Sequence, residues 1–218
     1  DIHAKSLPVA VQFEYQTTFS AFQVTGLAEQ WREKIDFYPF NFYESWAKKV
    51  FVSHCYTHDN ERIEYPLLDR EAITYESEKT VHLIILGMSR MGVAMGTFAA
   101  HLLHFPNYCR DRSKKSRITF VDAHADSEMD FFRNRYRGLF EISSVLYKDY
   151  SKSEVVEKVI QPTYFSGKDA DFLDVEFEFV KGNVESSAIQ NYLKEVVNDN
   201  DSLTSVFVCL KEPSHNMV

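Results

Sequence analysis

Ten consecutive residues, Gly87-Met88-Ser89-Arg90-Met91-Gly92-Val93-Ala94-Met95-Gly96, contain three of the seven glycines in this chain. They follow an almost unbroken apolar run, Val81-His82-Leu83-Ile84-Ile85-Leu86. A strand that turns at Gly87 straight into a helix leaves the first N–H groups of that helix without intrahelical partners. With the helix dipole, these groups form a site for an anion. Gly87 falls where the chain must turn sharply, and Gly92 where a side chain would hold helix and strand apart. Asp122 ends the next apolar run, Arg117-Ile118-Thr119-Phe120-Val121, where a carboxylate can accept hydrogen bonds from ribose hydroxyls. The chemistry this pattern supports is recognition of phosphate and ribose. Two features depart from the G-x-G-x-x-G pattern. Ser89 replaces the middle glycine, so its Cβ would crowd a pyrophosphate while its hydroxyl could donate to a phosphate oxygen. Asp122 also lies further along than the usual spacing of about 20 residues, the extra length being the polar stretch 107–116.

Gly182-Asn183-Val184-Glu185 follows a third apolar run, and in a parallel α/β sheet that turn borders the ligand crevice. Asn183 could reach an adenine or a ribose; equally, the stretch reads as a plain strand-to-helix turn with Ser186 as helix cap. His54, Cys55 and His58 have helical i, i+4 spacing, as His101 and His104 have helical spacing near Cys109. Neither set has an evident fourth ligand, and packing or surface roles are expected. The aromatic cluster Phe37, Tyr38, Phe40, Phe42, Tyr43 and Trp46 is expected to pack in a core or an interface. The chain holds no G-x-S-x-G elbow, no G-x-x-x-x-G-K-S/T loop and no H-E-x-x-H, and spacing picks out no nucleophile with its base.

The elements that must position these residues follow from periodicity. Val81–Leu86 predicts a central parallel strand covered on both faces. Met91, Met95, Phe98, Ala99, Leu102 and Leu103 recur at helical spacing up to Pro106. Strands are predicted at 117–122, 175–180 and 205–210 and helices at 126–136 and 186–197. In 175–180 acidic and apolar residues alternate, which predicts one wet face. Upstream, 8–15 predicts a strand with Val9, Val11, Phe13 and Tyr15 on one side, followed by a helix through 27–31. Asp36–Phe40 predicts a short strand, and Asn41 a cap for a helix whose stripe is Phe42, Tyr43, Trp46, Ala47, Val50 and Phe51. Residues 53–79 read as loop-rich, and 139–174 as an insertion. Strands alternating with helices predict an α/β fold, a Rossmann-type doubly wound parallel sheet at 80–218 preceded by a smaller α/β segment at 1–79.

Composition narrows the function classes. With 218 residues and 44% apolar content the chain can bury a core without staples. Net charge is −8, and the only basic run, Arg110 to Arg117, reads as a solvated loop, so nucleic acid is excluded as an expected partner. Three scattered cysteines fit a reducing compartment, and no signal peptide or membrane span is apparent. The chain starts at Asp1 and stops soon after an apolar strand, so both ends read as cut from something longer.

Val81 to Gly96 (VHLIILGMSRMGVAMG), the strand ending at Asp122 and the GNVES stretch from Gly182 resemble the TrkA-N or RCK family, the regulatory nucleotide-binding domains of potassium channels and transporters. Arg90 and Met91 before Gly92 match that family's basic-then-apolar pair, while Gly182-Asn183 stands where the family usually has Gly-Asp. The resemblance covers about 80–210, and residues 1–79 look like the tail of a preceding domain of the same kind. It implies a cytoplasmic ligand sensor, paired with another such domain in the same chain or as a homodimer, that passes a conformational shift to a membrane pore. It implies NAD(H) or ADP/ATP as ligand. Gly87, Met88, Ser89, Arg90, Met91 and Gly92 would surround the phosphates, Asp122 with Ala123 and His124 would hold the ribose, and Gly182, Asn183 and Val184 would flank the adenine. A carboxylate at Asp122 disfavours a 2′-phosphate, and hence NADP(H). Two other classes stay open: an NAD-dependent oxidoreductase fragment, and a Rossmann-like interaction scaffold without a ligand.

Overall fold

A computed structural model describes residues 6–26, 29, 34–52, 55–58, 61–64, 68, 72–164 and 173–211. The upstream segment is a β–α–β–α unit. β1 (Leu7–Gln12), α1 (Gln16–Val24) and β2 (Ile35–Phe40) form a crossover whose two strands pair in parallel, and α2 (Phe42–Val52) follows. Val9 and Val11 are the more buried residues of β1, and Phe13 just past its end is also half-buried, as alternation predicts. Phe13 packs on Phe19 and Phe22 of α1, and Phe22 meets Phe37 of β2 edge-on. Asn41 caps α2 by accepting from Glu44 N at 2.9 Å, and its Nδ2 donates to Phe13 O at 3.0 Å, tying helix start to strand end.

Three upstream expectations change. The predicted α2 stripe splits: Ala47 is buried and Tyr43, Val50 and Phe51 are partly so, but Phe42 and Trp46 are 44% and 45% exposed and stack on each other outside. A short hairpin, β3 (Cys55–His58) with β4 (Glu61–Glu64), interrupts the loop expected at 53–79. Because Cys55 to His58 is extended, helical i, i+4 spacing does not apply there; His54 lies outside the described residues. The helix expected at 27–31 also lies outside them, apart from Glu29.

The main body is a six-stranded sheet ordered β10-β5-β6-β9-β7-β8. Its elements are β5 (Thr80–Leu86), α3 (Arg90–Ala100), α4 (Asn107–Arg110), β6 (Ser116–Asp122), α5 (Ala125–Arg135), α6 (Arg137–Ile142), β7 (Val145–Asp149), β8 (Val156–Ile160), β9 (Val175–Lys181), α7 (Ser187–Val197) and β10 (Ser202–Val208). All pairings are parallel except β7 with β8. The fold is therefore α/β, Rossmann-like and doubly wound, with helices on both faces. The segment between α5 and β9 supplies α6 and the β7–β8 hairpin, which extends the sheet beyond β9. The last strand starts three residues earlier than its apolar run predicts, because Ser202 to Thr204 pair with Thr80 to His82.

One face of the sheet buries Leu83, Ile85, Ile118, Phe120, Phe177 and Phe179 under α3, α5 and α6. Phe120 stacks on Phe179 and meets Phe132 of α5 edge-on. α3 lies close because it presents glycine: a Cβ on Gly96 would come within 2.3 Å of Phe120 Cζ. The opposite face, under α7, divides in two. Near the carboxyl ends of the strands it is apolar, with Ile84, Leu86, Val121, Val180 and Ile189. Towards their amino ends it is polar, and here the wet face predicted for β9 is overturned. Glu178 is 1% exposed, its Oε2 accepting from Thr119 Oγ1 (2.8 Å) and Tyr192 Oη (2.9 Å), while Lys148 Nζ sits 2.8 Å from Oε1. A carboxylate can be buried on a central strand when cation and hydroxyls from three other elements surround it.

Candidate functional site

The carboxyl ends of β5, β6, β9 and β10 lie along one edge of the sheet, and the glycine turn lies at the end of β5. Gly87 has φ +99°, a left-handed conformation that side chains rarely adopt. A Cβ there would also strike Cys209 O at 2.6 Å, because the chain leaving β10 crosses close behind the turn, with Cys209 N donating to Leu86 O. A Cβ on Gly92 would lie 2.2 Å from Gly87 O, so the helix can begin this close to the strand only without a side chain. Both glycine requirements read from the sequence are met in space.

Ser89 is the N-cap of α3. Its φ and ψ are extended and its Oγ accepts from Gly92 N at 3.2 Å. The hydroxyl that stands in place of the middle glycine thus satisfies one of the helix's leading amides from within. Met88 points the other way: its side chain is 2% exposed and joins the core. Its amide donates to Asp122 Oδ2 at 2.8 Å, while His124 N donates to Asp122 Oδ1, also at 2.8 Å. Asp122 therefore ties the tip of β6 to the glycine turn, each oxygen already holding one backbone donor and keeping a second lone pair. Arg90, Ala123 and His124 are exposed, and Ser89 and Met91 are half-buried.

The third predicted segment is brought to the same edge, since Gly182 N donates to Asp122 O at 3.1 Å. Gly182 is a packing glycine, whose Cβ would lie 2.6 Å from Ile189 of α7. The Asn183 side chain is exposed and accepts from Glu185 N at 2.9 Å, and Ser186 caps α7 through Ile189 N. The expected Ser186 cap is present, with Val184 half-buried beside α7.

Charged residues that spacing did not single out also line this edge. Lys181, at the end of β9, pairs with Asp126 at 2.5 Å, and Lys211, just past β10, pairs with Glu128 at 2.5 Å. The two acids occupy the first turn of α5, where they also complement the helix dipole. Their ion pairs hold the Asp126 carboxyl below its ordinary range and raise both lysines. A signal for them existed in the sequence: lysine follows the last residue of each apolar run, Val180 and Leu210.

The other candidates separate. His104 Nδ1 pairs with Asp174 Oδ1 at 2.6 Å, away from the turn. Cys109 is exposed and Cys209 buried, its thiol pushed up to about 11 by burial. Among the described residues, no three His, Cys, Asp or Glu side chains converge to hold a metal, and no helix is long and apolar enough to cross a membrane. The basic run is largely neutralised, with Arg110 and Lys114 on Glu78 and Arg117 on Glu176. A mixed-charge cleft of about 440 Å³ opens at the opposite, amino-terminal edge of the sheet, where His82, Arg117, Glu176 and Asp199 contribute to its wall. No family model, curated protein or solved structure matches the chain.

Proposed function

We propose that the glycine turn binds the phosphates of an adenine nucleotide, NAD(H) or ADP/ATP, and that the chain is a regulatory nucleotide sensor of the TrkA-N or RCK type, working on the cytoplasmic side beside a second domain of its kind and coupled to a membrane pore. The observation that carries the reading is the junction of Gly87, Ser89 and Gly92 at the end of a central parallel strand, with the Asp122 carboxylate bonded to Met88 N beside it. In open α/β sheets the crevice where strand order reverses is where ligands bind, and β5 is the strand from which order departs both ways, to β6 and to β10. The amides at the head of α3 supply the positive end, and the remaining lone pairs of Asp122 suit a ribose diol. We favour a sensor over a dehydrogenase on the resemblance of the turn and of the strand ending at Asp122 to the TrkA-N or RCK pattern.

A second reading has its own support. Ser89 already satisfies Gly92 N, and Asp122 already holds two amides, so the turn is stable as an interaction scaffold without ligand. Thermal unfolding with NAD⁺, NADH, ADP, ATP and NADP⁺ separates the two. A ligand at about 100 times its Kd adds roughly 2.7 kcal/mol, which at this size raises Tm by about 5–10 °C. The expected result is a rise with at least one adenine nucleotide and little with NADP⁺. No rise with any of them overturns the sensor reading in favour of the scaffold, and reduction of NAD⁺ by a hydroxy acid or alcohol would make the protein an enzyme.

A further inference from the structure

Arg90 is the first residue of α3, and its guanidinium does not lie in the glycine turn. It forms an ion pair with Glu14 and reaches the Tyr15 hydroxyl at 3.5 Å, its Cζ 5.4 Å from the centre of the Tyr15 ring. Tyr43 of α2 joins these as a further side-chain partner. Arg135, in the last turn of α5, also places its guanidinium 4.4 Å from the centre of the same Tyr15 ring. Glu14 and Tyr15 belong to the β1–α1 turn of the upstream unit. That turn is held at the carboxyl end of its own sheet by Phe13 N donating to Phe40 O and by Asn41 donating to Phe13 O. One arginine at the rim of the candidate nucleotide site is therefore anchored to the neighbouring unit.

We propose that Arg90 is an exchangeable latch: Glu14 holds it when the turn is empty, a nucleotide phosphate takes it when the turn is filled, and the upstream unit is released from the glycine turn as a result. This rests on the nucleotide reading above and supplies its output. A planar guanidinium offers its bidentate fork to one oxyanion at a time. The present partner is a poor competitor, since the Glu14 and Arg90 side chains are 49% and 45% exposed, and exposed pairs contribute little. A multiply charged phosphate held against the amides of α3 offers more charge in a better-shielded place. Exchange leaves two contacts intact, the packing of α2 on α3 and Arg135 over Tyr15. The upstream unit then pivots about α2 instead of detaching.

The test is calorimetric titration of the whole chain with ADP, ATP and NAD⁺, using wild type, Glu14→Gln, Arg90→Gln and the double variant. Both residues are at the surface, so the fold should tolerate each change. Removing the competitor should tighten binding about two- to five-fold, the factor that an exposed ion pair is worth. Arg90→Gln should weaken binding and abolish the effect of Glu14→Gln. Hydrogen exchange adds a readout that affinity does not: nucleotide should speed exchange at the amides of residues 13–15 in wild type, while Glu14→Gln exchanges fast already. Equal affinity of wild type and Glu14→Gln overturns the latch and leaves the nucleotide reading standing. So does a Glu14→Gln effect that survives in the Arg90→Gln background, because Glu14 would then act through its charge alone. Absence of binding in every form overturns the nucleotide reading, and the latch with it.

Discussion

His82 should make this protein acid-labile within a defined window. It lies on central strand β5 with its ring 5% exposed, and its Nε2 is 2.7 Å from Thr119 Oγ1. Thr119 gives its single proton to Glu178, so His82 must be the donor and neutral His82 carries its proton on Nε2. Burial, with the nearby Arg117 charge, outweighs the pull of Glu178 and Asp199 and depresses the imidazole from 6.5 to about 4. The direction of the pH effect follows. Between those values the unfolded chain binds a proton that the folded chain refuses, so stability rises with pH across the window. It is fully present above about 6.5 and is lost progressively on acidification towards 4. At about 1.4 kcal/mol per pH unit the loss is about 3 kcal/mol, or about 6–12 °C in Tm for a chain of this length. Against its burial, Lys148 and Thr119 hold the Glu178 carboxyl below its ordinary value. Thermal unfolding of wild type and His82→Gln from pH 7.5 to 4.5 isolates the contribution, since glutamine keeps a donor and does not titrate. Wild type should lose about 2.5 kcal/mol more than the variant over this range, which stops short of pH 4. Parallel curves, or an NMR titration placing His82 near 6.5, would refute the argument.

Lys148→Met should destabilise by about 3–5 kcal/mol in urea unfolding, because it strands the Glu178 charge in the sheet. The loss should shrink by more than 1 kcal/mol in a Glu178→Gln background, and additive losses would show that the pair is not coupled. Gly96→Ala should lower stability by about 1–2 kcal/mol despite alanine's better helix propensity, since Phe120 is fully buried between Phe132 and Phe179 and cannot yield. Gly138→Ala, also helical but with nothing within 4 Å of the new Cβ, should gain up to about 1 kcal/mol. Equal effects at the two glycines would remove the packing account of Gly96.

What the sequence determined by itself is local and periodic. An apolar run before Gly87 predicted a covered strand, Gly87 a sharp turn, and Asn41 and Ser186 helix caps, because each requirement is met within a few residues. The α/β class followed from alternation of those elements. Tertiary structure decided everything that depends on what lies opposite. Glu178 alternates with phenylalanines just as a solvent-facing residue would; burial became possible only when Lys148 from the hairpin, Thr119 from β6 and Tyr192 from α7 converged on it. Trp46 has the spacing of a core residue, yet it stays outside, stacked on the equally exposed Phe42. The hairpin at 55–64 pairs residues whose polar sequence carries no strand alternation. At the candidate site the glycines were legible because backbone geometry alone demands them. The partners of Ser89, Asp122 and Arg90 were not, since a hydroxyl, a carboxylate or a guanidinium takes whichever donor or acceptor the fold brings within reach. For Arg90 that partner is Glu14, from another unit of the chain.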